Sequence, residues 1–93
     1  MKGSEKQISW ASDLAEKAIS AFEWAKENPA EDAKSNLEMW NQLIDGMIGR
    51  IRSAQYAGDV IDAFSYIDFG KDNGRIFMAV VGAMNSTVIK CKF

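Results

Sequence analysis

The chain predicts an α+β domain: an N-terminal antiparallel helical hairpin, a short third helix, then a small antiparallel β-meander of two or three strands. Three patterns carry that expectation. Apolar residues recur at three- and four-residue steps through the first half, which is the helical period. Asn73-Gly74 sits between apolar runs, the strongest short-range signal for a hairpin turn. The last residues alternate, with Ile89, Cys91 and Phe93 on one face and Val88, Lys90 and Lys92 on the other, as a half-buried strand does.

The first helix starts at Ser4. Its hydroxyl suits the N-cap, Gln7 stands where a capping box needs a side chain reaching back, and Glu5 adds negative charge at the positive end of the helix dipole. Ile8, Ala11, Ala15, Ala18, Phe22 and Ala25 form the buried stripe, widened by Leu14 and Ile19. Asn28-Pro29 ends this helix, because the residue before proline is pushed out of helical conformation. The same pair is read as starting the next: Asn28 as N-cap, Pro29 at the first helical position and Glu31 three residues after the cap.

The second helix carries Ala33, Leu37, Trp40, Ile44, Met47, Ile51 and Ala54, a spacing that suits antiparallel packing on the first. Gly46 and Gly49 interrupt it at roughly 1 kcal/mol each relative to alanine. The preferred explanation is close approach of another backbone inside the fold; the other is a hinge or a docking partner helix. Asp59 is expected to cap a third helix through Val60, Ile61, Ala63 and Phe64. Residues 66–69, 75–81 and 87–93 then read as strands. The middle one is apolar on both faces, so two surfaces must cover it, and a homodimer would provide the second. The alternative is an all-α fold with residues 75–84 as a buried helix, which periodicity alone does not exclude.

Residues 3–11 read Gly-Ser-Glu-Lys-Gln-Ile-Ser-Trp-Ala. Gly3, Ser4, Glu5, Lys6, Gln7, Ile8, Trp10 and Ala11 resemble the opening of a group of small, largely uncharacterised proteins of bacteria and their phages. The resemblance covers about a tenth of the chain. It implies a bacterial or phage origin and no activity.

Composition narrows function by exclusion. Ninety-three residues, about half of them apolar, suit one domain with one core, residues 1–93. There is no histidine, which removes the usual general base and the commonest metal ligand. The single cysteine, Cys91, forms no internal disulfide and assembles no structural zinc site, which fits a reducing, cytoplasmic setting. No Walker loop or dinucleotide fingerprint is present. No basic leader opens the sequence, and its longest apolar stretch is too short to span a bilayer. The expectation is a protein that is not an enzyme, uses no cofactor and binds no membrane.

Two surfaces remain as candidates. Trp10 and Trp24 lie fourteen residues apart on nearly one line of the first helix, and tryptophan is favoured at binding hot spots, although both would also serve as a rim to the core. Asp13, Glu16, Glu23 and Glu27 fall along one face of the same helix, where acidic groups suit either solvent or a basic partner. Charge is uneven: nine acids against five bases up to Gly49, then four against six. The reading adopted is a protein-binding module, an inhibitor of a host nuclease or defence machine if the phage resemblance holds. The alternative is a dimer that sequesters a nucleotide or similar anion with Arg50, Arg52, Lys71 or Arg75. Nucleic-acid binding ranks third, since no arginine-rich run supports it and the net charge is slightly negative.

Overall fold

The computed structural model describes residues 1–86 and 91–93. Its helices are α1 (Glu5–Glu27), α2 (Leu37–Arg52), α3 (Ala57–Phe64) and α4 (Asn73–Asn85), with a short 3-10 turn at Glu31–Ser35 between the first two. The described residues hold no strand.

α1 forms as its sequence dictates. The Gln7 backbone N–H donates to Ser4 Oγ at 3.2 Å, and the Ser4 N–H donates to Gln7 Oε1 at 3.1 Å, completing the capping box. At the other end, Asn28 donates from both its backbone N–H and its Nδ2 to the Trp24 carbonyl, each at 2.9 Å. Trp40 Nε1 donates to the Ala25 carbonyl at 2.9 Å, so a side chain of α2 satisfies another end carbonyl of α1.

α1 is the spine against which α2, α3 and α4 all pack. Its stripe of Ala11, Ala18, Ala21 and Ala25 is 0–2% exposed, and such short side chains let three helices approach one. Bulk comes from Phe22, Phe64, Ile51, Val60 and Val80, each fully buried. Burying one side chain of that size contributes roughly 1.5–3 kcal/mol. α2 returns antiparallel to α1: Trp40 meets Ala25 near the end of α1, whereas Lys2 and Tyr56 form a bridge beside its start. The helical hairpin expected from the spacing is therefore present.

The β-meander is not. Residues 75–81 lie inside α4, residues 66–69 form turns and bends, and residues 91–93 carry no strand; residues 87–90 of the third expected strand lie outside the described residues. The all-α alternative is the arrangement found. Asp72 decides the matter locally, because its carboxylate accepts from the Arg75 backbone N–H at 3.0 Å and caps a helix. Asn73-Gly74 is then the first turn of α4 and not a hairpin turn. Ile76, Val80, Ala83 and Met84 become one buried helical stripe. With the strand gone, so is the two-faced apolar surface that motivated a dimer.

Two smaller corrections concern the helices. α2 begins at Leu37, capped by Asn36 through the Met39 N–H at 3.1 Å, and not at Asn28-Pro29. α3 begins at Ala57 with Tyr56 at its cap position, two residues before Asp59. Gly46 and Gly49 face open space: nothing lies within 4 Å of where either Cβ would stand, so no backbone inside the fold explains them.

Candidate protein-docking groove

α2 and α4 both lie on α1 with their backbones apart, which leaves a furrow between them. Phe22 of α1 and Ile44 form its floor. Trp40, Leu43 and Met47 make one bank; Phe77, Val81 and Asn85 make the other. The open hollow holds about 230 Å³.

The walls are fixed by their own contacts. Trp40 is tied to the Ala25 carbonyl and tilts against Phe77 with ring centroids 5.9 Å apart. Phe77 in turn presents its edge to Phe22 at 5.6 Å. Paired aromatic rings of this kind stabilise one another beyond simple burial, by about 0.5–1.5 kcal/mol. Arg50 ties the two helices together, donating from Nη1 to Met47 Sδ at 3.5 Å and from Nη2 to the Met84 carbonyl at 3.3 Å.

Among the described residues, Asn85 is the one polar side chain lining the furrow, which therefore has nothing with which to recognise an ion. Beyond the ridge of Trp40 and Leu43 lies a second, shallower hollow of about 140 Å³, reached by Asp32, Ala33, Asn36 and Met39. Leu43 is 63% exposed, Met39 56% and, on α4, Met78 68%. An apolar band thus spreads from α2 across the furrow to α4, the kind of surface that marks an interaction site.

The residues singled out from the sequence lie elsewhere. Trp10 is half exposed, whereas Trp24 is partly buried and packs beside Gly74 at the start of α4. The two are about 21 Å apart along α1. Asp13, Glu16, Glu23 and Glu27 are exposed on the face of α1 opposite its alanine stripe. Asp13 pairs with Lys17 at 3.0 Å, and Lys26 of the same helix pairs with Asp45 of α2 at 2.8 Å.

The four candidate cations are not gathered at one place. Arg50 donates to the Phe93 carbonyl from Nε at 3.0 Å and from Nη2 at 2.7 Å. Arg75 stands in the first turn of α4 beside Asp72, 3.4 Å away, and Arg50 meets the last turn. Nine helical residues, about 14 Å, separate those levels. Arg52 is exposed at the end of α2, and Lys71 is exposed in the loop before α4.

Sequence reasoning missed the furrow because its banks come from two helices, one of them read as a strand. One signal was available. Met39 and Leu43 fall outside the buried stripe of α2, and large apolar side chains off the stripe are where a second surface begins. No helix among the described residues is long and apolar enough to cross a membrane. Comparison with protein-family models, with curated proteins and with solved structures finds no match.

Proposed function

We propose that this chain is a non-enzymatic, cytoplasmic protein-binding module whose contact surface is the α2/α4 furrow with its exposed flanks, Met39, Leu43 and Met78. One observation carries the reading: an apolar hollow lined by Phe22, Trp40 and Phe77 stands open beside side chains that solvent alone would not select. A rigid, preformed hollow suits an apolar anchor from another polypeptide, because little ordering entropy is lost when it is filled. Anchors of this kind dominate binding, whereas the acidic face of α1 is better suited to steering a basic partner toward contact. An inhibitor that works by contact alone needs no more than such a surface, so the host-machine reading falls within the proposal.

The test uses Leu43, which is exposed enough to change without disturbing the core. Leu43→Asp is expected to leave the melting temperature within a few degrees while weakening capture of a specific partner at least tenfold, measured by titration of that partner. Glu16→Gln, on the far face of α1, is expected to alter association rate and salt dependence more than dissociation. Unchanged affinity for Leu43→Asp would remove the furrow from the contact surface.

A further inference from the structure

We infer that the partner presents an amphipathic α-helix to the furrow, antiparallel to α2 and α4, with a Lys or Arg in its last turn facing Asp32. The inference rests on the furrow being a protein-contact surface and names the kind of segment that enters it.

The walls decide the conformation of what lies between them. Asn85 is the one polar side chain lining the furrow among the described residues. An extended segment pressed there would leave the backbone N–H and C=O groups it turns toward the walls without partners, a cost at each buried group. A sheet edge would supply those partners, but the described residues hold no strand. A proline-rich segment has no internal hydrogen bonds, so its carbonyls need donors. Trp40 Nε1, the donor on the bank, is already spent on the Ala25 carbonyl. An α-helix brings its backbone bonds with it.

The furrow also has the length and direction that suit a helix. Trp40 to Met47 on one bank and Phe77 to Asn85 on the other run about 10 and 12 Å along their helices. Two helical turns cover that distance, so apolar side chains at i, i+4 and i+7 of the occupant reach along the whole hollow. α2 and α4 run the same way: Trp40 meets Phe77 near the start of each, and Arg50 meets the Met84 carbonyl near the end of each. Their positive ends therefore lie together, and a helix laid against both is favoured in the opposite direction.

Charge distinguishes the two ends. The second hollow shares Trp40 and Leu43 with the furrow and carries the apolar band past the start of α2 to Asp32. Among the described residues, Asp32 is the one charged side chain lining either hollow, and it is exposed with no ion-pair partner. At the other end Arg50 is committed to Met47, Met84 and Phe93. An antiparallel occupant brings its C-terminal turn to Asp32, where a Lys or Arg suits both the carboxylate and the occupant's own dipole.

A displayed library of random peptides, selected on the full chain and counter-selected on Leu43→Asp, tests this. Selected sequences are expected to carry large apolar residues at i, i+4 and i+7, followed by Lys or Arg. In the tightest peptide, proline at a solvent-facing position inside the helix is expected to weaken binding at least tenfold in a titration, since it breaks the helix and removes no contact with the furrow. Asp32→Lys is expected to weaken the same peptide roughly threefold at low salt and to spare a version whose last-turn cation is alanine. Selected sequences that alternate or are rich in proline, binders indifferent to the internal proline or to Asp32→Lys, or no peptide that prefers the wild type to Leu43→Asp, each overturn the inference. So does a wild type that sediments at twice the chain mass and loses this with Leu43→Asp, which would make a second copy the occupant. If partner capture depends on Leu43 while the selected peptides are not helical, the helix is refuted and the furrow stands as a contact surface. If Leu43→Asp alters neither partner capture nor peptide binding, both readings fall.

Discussion

Gly3 shows how little freedom the opening residues have. Its φ is +153°, and a Cβ added there would stand 3.0 Å from Ala57 Cβ and 3.1 Å from Gln7 Oε1. Neither neighbour can yield easily: Ala57 is fully buried, and Gln7 Oε1 already accepts from the Ser4 N–H. Lys2 is held on the adjoining side, donating to the Gln55 carbonyl at 2.7 Å and accepting from the Ala57 N–H at 2.8 Å. Gly3→Ala is therefore expected to cost about 1–3 kcal/mol, from strain and overpacking together. Ser4→Ala, which loses only the cap, is expected to cost about 1 kcal/mol. Urea unfolding of both checks the order; a Gly3→Ala midpoint equal to wild type would show that the tie between Lys2 and the α3 entry is loose. Several of residues 3–11 thus have work within the fold: Gly3 for approach to α3, Ser4 and Gln7 for the cap, Ile8 and Ala11 for packing on the core. Trp10 is left half exposed, with no such task evident.

Among the elements, α4 tests the competing signals most sharply. Residues 76–81 are apolar without interruption, so alternation and helical spacing fit them equally well. A hairpin turn at Asn73-Gly74 tips that balance toward strand, whereas an N-cap at Asp72 tips it toward helix. The structure follows the cap. Asp72→Ala removes the acceptor for the Arg75 N–H and is expected to destabilise the protein by about 1 kcal/mol, with faster amide exchange in the first turn of α4. Asp72→Asn retains an acceptor and is expected to lose at most a few tenths. Equal exchange in wild type and Asp72→Ala would show that packing of Ile76 and Val80 holds this turn without the cap. α1 was legible because cap, period and stop signal agree along its whole length. The start of α2 was not, because Asn28-Pro29 and Asn36 both resemble an N-cap, and the 3-10 turn between them continues the helical spacing at Ala33. The furrow was illegible for a related reason. It exists only where α2 and α4 diverge, and no spacing within either helix encodes that gap.

At the scale of the whole molecule, three helices lie on one long helix, and a single side chain of α2 ties together the end of α4 and Phe93. Arg50 reaches from α2 to the Phe93 carbonyl and to the last turn of α4 at the Met84 carbonyl. Phe93 adds its ring, edge-on to the fully buried Phe64 with centroids 5.7 Å apart. Hydrogen bonds, an end carbonyl of a helix and an aromatic contact are thus made together or lost together. Arg50→Ala is expected to cost about 1.5–3 kcal/mol, as for hydrogen bonds from a charged donor, and Arg50→Lys to recover part of that because an ammonium cannot span both carbonyls in one plane. Phe93→Ala is expected to cost about 1–3 kcal/mol through lost burial and ring contact. If one docking event underlies both, the double variant will be more stable than the sum of the single losses implies, by at least 0.5 kcal/mol in a urea-unfolding cycle. Strict additivity would mean that Arg50 and Phe93 hold their places independently.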